Sequence, residues 1–134
     1  MMEEAVKSKK IRILLIDDEE DFGFFVKLNL EKTGRFAVTT TTSGPKGIIL
    51  AAKERPDLIL LDIIMPELGG GDVAEQLLEN PETANIPVLF ITAIASRTEV
   101  QSQQGTIGGR SFIAKPVTPD ELMAKIDRLF TRKE

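Results

Sequence analysis

The chain alternates short apolar runs with longer segments whose apolar positions recur at helical spacing. Five apolar runs, rich in β-branched residues, predict strands over Ile11–Ile16, Phe36–Thr40, Leu58–Leu61, Pro87–Ile91 and Ser111–Ala114. Four segments predict helices over Glu19–Lys32, Pro45–Lys53, Asp72–Glu79 and Thr118–Arg132. Because strands that alternate with helices are joined by right-handed crossovers, the pattern predicts an α/β fold with one parallel sheet covered on both faces.

The size and composition of the chain are typical of one folded domain. Its 134 residues are 42% apolar and 28% charged, which suffices for one core and leaves no room for a second. We expect residues 1–9 to form a flexible polar leader and residues 10–134 to form the domain. Cysteine and histidine are both absent, which excludes disulfides, thiolate or imidazole catalysis and every metal site built on those side chains.

Charge and hydropathy exclude two classes of partner. The net charge of −4 creates no field that would draw this domain onto nucleic acid. No window approaches the roughly 20 apolar residues of a membrane span, and the first ten residues lack a signal sequence's hydrophobic segment. We therefore expect a cytoplasmic protein that binds neither nucleic acid nor membrane directly.

Carboxylates follow two of the predicted strands. Asp17 and Asp18 come directly after the first strand, and Asp62 follows the third. The carboxyl edge of a parallel sheet is where such folds bind ligands, so we expect the three side chains to converge there. A histidine-free set of oxygens suits Mg²⁺ or Mn²⁺. The alternative is that Asp17 and Asp18 only cap the first helix.

Two further side chains point to phosphoryl chemistry at the same edge. Thr92 follows the fourth strand, and Lys115 follows the fifth and precedes Pro116. A hydroxyl and an ammonium group can each bind a phosphoryl oxygen. Taken alone, Thr92 could be a helix cap and Lys115 part of an exposed turn, but five such residues at four strand ends are poorly explained by chance.

The chain from about Lys10 to Lys133 resembles the receiver domain of two-component response regulators. The resemblance rests on Asp17-Asp18, Asp62-Ile63-Ile64-Met65-Pro66, Thr92-Ala93 and Lys115-Pro116, in that order and spacing. It implies a doubly wound, flavodoxin-like fold with five parallel strands in the order 2-1-3-4-5. It also implies a signalling domain that catalyses only its own phosphorylation and dephosphorylation.

The resemblance assigns roles to individual residues. Asp62 would accept a phosphoryl group from a phosphohistidine on a histidine kinase or phosphotransfer protein. Mg²⁺ would be held by Asp18, Asp62 and the backbone carbonyl of Ile64, with Asp17 acting through water. Thr92 and Phe112 would form the conformational switch, although Phe112 could equally be an ordinary core residue.

The resemblance, together with the helical periodicity, also predicts which residues bind the phosphodonor and which control the lifetime of the phosphorylated state. If Phe22, Val26 and Leu30 face the core, Phe24 and Leu28 face outward, where receivers dock their phosphodonors. Ile64 and Ile94 occupy the positions that orient the hydrolytic water, and their apolar side chains predict a long-lived phosphorylated state.

One segment departs from the family pattern. Gly105–Arg110 replaces a shorter turn, and the weakly patterned Gln101–Gln104 predicts a short or frayed helix. The output surface that this region often forms in receivers is therefore in doubt, and local disorder is the plainer explanation.

Two other functions remain open at this stage. A pseudo-receiver would use the fold for docking without phosphorylation, although all five site residues are present. A haloacid-dehalogenase-like phosphatase would need a second Asp two positions after its nucleophile, whereas Asp17 is followed by Asp18-Glu19. The chain ends soon after its last helix, so we expect no effector domain within it. The sequence does not distinguish a stand-alone regulator from an excised receiver, nor does it give the kinase, the output partner or the oligomeric state.

Overall fold

A computed structural model describes residues 9–93, 106–107 and 110–131. Three predictions fall outside these residues: the leader apart from Lys9, the helix at Gln101–Gln104 and the position of Ile94.

One sheet of six strands organises the described part of the chain. The strands are β1 (Ile11–Ile16), β2 (Phe36–Thr41), β3 (Leu58–Asp62), β4 (Val88–Thr92), β5 (Thr106–Ile107) and β6 (Arg110–Ala114), in the order β2-β1-β3-β4-β6-β5. All neighbours pair in parallel except β5 and β6. The five long strands confirm the predicted order 2-1-3-4-5.

The short strand β5 was not predicted. It runs antiparallel to β6, with Thr106 opposite Ser111 and Ile107 opposite Arg110. Two residues are too few to show the period of a strand, and the surrounding glycines favoured a loop. Part of the unusual segment before β6 therefore extends the sheet by one antiparallel strand.

Four helices within the described residues cover the two faces of the sheet. They are α1 (Glu20–Glu31), α2 (Gly44–Glu54), α3 (Gly70–Glu79) and α4 (Pro119–Thr131), within two residues of the predicted bounds. No described helix is long and apolar enough to cross a membrane.

The alternation of side chains along the strands divides the core into two layers. Ile13 and Leu15 of β1 pack on one face with α1 and α4, and Leu14 and Ile16 pack on the other with α2 and α3. β3 is buried along its whole length because helices cover both of its faces. The carboxyl ends of β1 and β3 are thereby fixed side by side.

Candidate functional site

The three acidic residues at the strand ends converge as predicted. Asp62 ends β3, and Asp17 and Asp18 follow β1, the neighbouring strand. Carboxylate oxygens of all three lie within 4.8 Å of one another. Asp17 and Asp62 are buried, whereas Asp18 is exposed. The site is an acidic cleft with two buried carboxylates and one at its rim.

Capping does not explain these acids. The N-cap of α1 is Glu19, and no side chain caps the helix by a hydrogen bond. Asp17 Oδ1 instead accepts a hydrogen bond of 2.8 Å from the backbone N–H of Glu19. Asp17 Oδ2 is buried and has no partner of good hydrogen-bond geometry among the described residues, although the Lys115 ammonium lies 3.0 Å away. Three converging carboxylates, two of them buried, provide the oxygen ligands that fit a hard divalent cation such as Mg²⁺.

Lys115 extends from the end of β6 into the acidic cleft. Its backbone N–H donates to the carbonyl oxygen of Thr92 (2.9 Å), which fixes the strand end. Its Nζ forms ion pairs with Asp17 Oδ2 at 3.0 Å and with Glu19 Oε1 at 2.6 Å. Nζ also lies 4.5 Å from the ring centroid of Phe22, within cation–π range. The side chain of Lys115 is only 14% exposed, and these contacts show that it is not part of an exposed turn.

Burial and mutual repulsion dominate the electrostatics of the cleft. Burial, reinforced by the negative charge of Asp17, raises the pKa of Asp62 to about 7. Burial also raises the pKa of Asp17, against the opposing effects of the Glu19 N–H and Lys115. Burial would lower the pKa of Lys115, but its bonds to Glu19 and Asp17 outweigh this and raise it. Lys115 is therefore a permanent cation beside a carboxyl group that readily holds a proton.

The switch pair predicted from the resemblance lies on adjacent strands. Thr92 is fully buried at the end of β4 and pairs in register with Ala114. Phe112 is half-buried on β6 and stacks on Phe90 of β4, with ring centroids 5.1 Å apart. Both placements are compatible with a switch and with ordinary core packing, so the switch role stays a prediction.

The apolar side chains that we predict at the surface, those of Phe24, Leu28 and Ile64, are exposed in the structure. Phe24 is 68% exposed and Leu28 53% exposed on the outer side of α1, opposite the buried Val26 and Leu30. The side chain of Ile64, two residues after Asp62, is 58% exposed at the mouth of the cleft.

Two features of the site were not foreseen. One is the contact of Glu19 and Phe22 with Lys115, which depends on side-chain conformations that no sequence pattern encodes. The other is Gly70, whose N–H donates to the carbonyl oxygen of Ile63 (2.7 Å) at the end of β3. A run such as Gly69-Gly70-Gly71 is typical of a loop, but nothing in it indicates which glycine meets the site.

Comparison with known proteins agrees with this fold and site. Residues 13–127 match the response regulator receiver domain. Protein PilH of Pseudomonas aeruginosa is 34% identical over 116 residues, which cover 87% of this chain and 94% of PilH. The chain therefore belongs to the response regulator receiver domain family. Members of this family are phosphoacceptor modules of two-component signalling, with an acidic pocket that binds Mg²⁺.

Two further similarities bear on length and on the fold. The dual master transcriptional regulator RpaA of Synechocystis is 35% identical over 123 residues, 92% of this chain but 50% of RpaA. The chain thus spans about half the length of that relative. The receiver domain of a Pseudomonas aeruginosa sensor histidine kinase, solved with magnesium coordinated in its active site cleft, superposes with a TM-score of 0.75. That similarity covers 90% of this chain and 97% of the other at 24% identity, and it bears on the fold alone.

Proposed function

We propose that Asp62 is the phosphoacceptor of this receiver domain. The observation that carries the proposal is the position of its carboxylate, which is buried at the end of β3 with Asp17, Asp18 and the Lys115 ammonium around it. A carboxylate oxygen of Asp62 attacks phosphorus and forms the new P–O bond. The P–N bond of the donor phosphohistidine breaks, and its electron pair stays on the imidazole nitrogen, which takes up a proton from solvent.

The residues around Asp62 stabilise the negative charge of the phosphoryl group during its transfer. Asp18, Asp62 and the carbonyl oxygen of Ile64 would hold Mg²⁺, with Asp17 contributing through water. Bound there, the ion supplies positive charge that offsets the three carboxylates and the incoming phosphoryl oxygens. Lys115 donates to one phosphoryl oxygen and Thr92 to another. The chain thereby catalyses its own phosphorylation and dephosphorylation, and Mn²⁺ can replace Mg²⁺ because both prefer octahedral oxygen ligands.

The remaining parts of this function concern partners and conformation. The phosphodonor is a histidine kinase or a histidine phosphotransfer protein, as membership of the receiver domain family implies, and the absence of histidine from these 134 residues is consistent with a donor outside them. Phosphorylation moves Thr92 and Phe112 and so presents an altered surface to an output partner. We place the domain, residues 10–134, in the cytoplasm.

Mass measurement of the intact protein after incubation with acetyl phosphate and Mg²⁺ tests this proposal. We expect the wild type to gain one phosphoryl group and Asp62→Asn to gain none. Asp57→Asn is the matched control, because Asp57 precedes the same strand at its opposite end, where it accepts from Arg12 N–H. Wild-type protein without any gain would indicate a pseudo-receiver, and steady turnover of assorted phosphomonoesters would indicate a hydrolase.

A further inference from the structure

The ammonium group of Lys115 is held on the side of the cleft formed by α1 and the residues that precede it. Asp17 Oδ2 lies 3.0 Å from Nζ, Glu19 Oε1 lies 2.6 Å away, and the Phe22 ring covers a third direction. Among the ion pairs of the described residues, Lys115 forms these two and none with Asp62. Lys115 therefore contacts Phe22 of α1 and two residues that precede this helix, Asp17 and Glu19. It forms no ion pair with Asp62, the carboxylate that we propose as phosphoacceptor.

Glu19 closes this arrangement into a ring of contacts. Its backbone N–H donates to Asp17 Oδ1, its side chain binds Lys115, and Lys115 binds Asp17 Oδ2. The side chain of Glu19 is 63% exposed, whereas that of Asp17 is fully buried. Glu19 is thus the contact that Lys115 can release at the smallest cost, because water can solvate the carboxylate once it is freed.

A phosphoryl group on Asp62 would need a share of the same ammonium group. Lysine has three N–H donors, and two carboxylates and an aromatic ring already surround this one. For Lys115 to reach a phosphoryl oxygen, it must turn away from at least one of them. Asp17 stays within the cleft in either case, so Glu19 is the partner that gives way.

We propose that Glu19 is a positioning residue that competes with the phosphoryl group for Lys115 and so slows the phosphorylation of Asp62. The inference rests on the proposed function of Asp62 and Lys115. The side chain of Glu19 acts through Lys115, since it binds the ammonium group at the rim of the cleft. Removing its charge while keeping its shape should free Lys115 and leave the backbone bond to Asp17 in place.

The test compares Glu19→Gln with the wild type in acetyl phosphate at saturating Mg²⁺, with the phosphorylated fraction followed by intact mass. In this reaction an Asp62 oxygen bonds to phosphorus and the bond from phosphorus to the acetyl oxygen breaks, which releases acetate. We expect Glu19→Gln to react about twofold to fivefold faster, the range that a partly exposed ion pair is worth. Glu19→Asp, which keeps the charge on a shorter side chain, should fall between the two.

Glu20→Gln is the matched control, because it removes the same charge from an adjacent residue that forms no ion pair within the described part of the chain. An equal gain in Glu20→Gln would overturn the proposal, since the gain would then reflect weaker repulsion of the anionic donor. The ratio of the phosphorylation rate of Glu19→Gln to that of the wild type should also approach one in about 1 M salt, because screening weakens the ion pair between Glu19 and Lys115.

The remaining outcomes separate this inference from the function on which it rests. An unchanged or slower rate in Glu19→Gln, with the wild type still phosphorylated, would overturn the role of Glu19 alone. Failure of the wild type to take up phosphoryl at all would overturn both proposals. A melting temperature equal to that of the wild type would show that a faster rate does not come from a changed fold.

Discussion

Gly70 packs directly against the backbone of Asp62. A Cβ atom at Gly70 would overlap with the carbonyl oxygen of Asp62 and lie 2.7 Å from Cα of Ile63. Both obstacles are backbone atoms, so neither can move aside without shifting the end of β3. The close approach of α3 thus fixes the carboxylate that we propose as phosphoacceptor.

We predict that Gly70→Ala lowers the free energy of unfolding by about 1–3 kcal/mol, as overpacking of a close contact typically does. It should also slow phosphorylation by acetyl phosphate, because Asp62 moves relative to Asp17 and Lys115. Denaturant unfolding and intact-mass kinetics measure the two effects.

Gly71→Ala is the matched control for Gly70→Ala. A Cβ at Gly71 meets nothing within 4 Å, and alanine is the better helix former by about 0.5–1 kcal/mol. We therefore expect Gly71→Ala to be neutral or stabilising and to be phosphorylated normally. Equal losses in the two variants would show that the contact with Asp62 is not what requires glycine.

The contrast between Gly70 and Asp62 shows what the sequence could and could not reveal. Asp17 and Asp62 were predictable because strand ends in a parallel sheet meet at one edge, so short local patterns locate both residues. The need for glycine at position 70, and not at position 71, depends on the distance between two elements, which local patterns do not contain.

Side-chain contacts over long separations were equally beyond the sequence. Lys115 and Glu19 are 96 residues apart, and their ion pair depends on the conformations of two long side chains. The outward position of Phe24 was predictable, because helical periodicity opposes it to the buried Val26. The short strand β5 was not predictable, since two residues are too few to show the period of a strand.

The raised pKa of Asp62 predicts competition between protons and Mg²⁺. The folded state holds a proton on Asp62 up to about pH 7, whereas the unfolded state releases it near the ordinary value of 3.8. Without metal, the contribution of Asp62 to stability should therefore fall as pH rises from about 4 to about 7 and then level off. Because Mg²⁺ must displace this proton, its binding should weaken below pH 7.

Thermal unfolding with millimolar Mg²⁺ or with EDTA measures this competition. The Mg²⁺-induced rise in melting temperature should be larger at about pH 8 than at about pH 5.5. In Asp62→Asn the rise should be smaller at both values and should depend less on pH. A rise in the wild type that is independent of pH would contradict a proton on Asp62, and no rise at all would contradict the metal site.

The side chains of Lys27 and Glu31 form hydrogen bonds with the backbone at the outer edge of β2. Glu31 Oε2 accepts from the backbone N–H of Val38 (2.9 Å), and Lys27 Nζ donates to the carbonyl oxygen of Val38 (2.6 Å). The N–H of Val38, followed by Lys27, lowers the pKa of Glu31. These bonds satisfy an edge strand that would otherwise expose pairing groups to another chain.

We predict that Glu31→Ala lowers the free energy of unfolding by about 1 kcal/mol, the usual net value of such hydrogen bonds. Because the pKa of Glu31 is lowered on folding, its contribution is present at neutral pH and is lost as pH falls below the ordinary value of 4.5. The difference in the free energy of unfolding between Glu31→Ala and the wild type should therefore become smaller at acidic pH. Glu75→Ala, at an exposed helix position, is the control and should change stability by less than about 0.5 kcal/mol.

The apolar side chain of Ile64 predicts a slow loss of the phosphoryl group. Hydrolysis needs a water in line with the bond from Asp62 to phosphorus, and Ile64 stands exposed at the mouth of the cleft without a group that could orient it. We expect Ile64→Asn to shorten the phosphorylated lifetime by about tenfold, the lower part of what positioning and proton transfer typically contribute. Decay of the intact mass after donor removal measures it.

Ile49→Asn is the control for this change, because Ile49 is 65% exposed on α2, away from the cleft. The phosphorylated state of Ile49→Asn should last as long as that of the wild type. Decay of the wild type within seconds, or an unchanged lifetime in Ile64→Asn, would show that position 64 does not control the water.

The exposed pair Phe24 and Leu28 predicts a docking surface on α1 for the phosphodonor. Four residues apart on one helix, they present adjacent apolar side chains that a partner's groove can bury. We expect Phe24→Ala with Leu28→Ala to slow transfer from a phosphorylated histidine kinase by about tenfold or more, since burying such side chains is worth about 1.5–3 kcal/mol each. Phosphorylation by acetyl phosphate should not change, because this small donor needs no docking surface.

The control removes two equally exposed apolar side chains elsewhere, Ile49 on α2 and Leu78 on α3, which are 65% and 62% exposed. Ile49→Ala with Leu78→Ala should leave both reactions at the wild-type rate, because these helices cover the other face of the sheet. If the α1 double variant lost both reactions equally, the damage would lie in the fold. If it lost neither, the donor would dock elsewhere, because truncating a buried contact must weaken an encounter that depends on it.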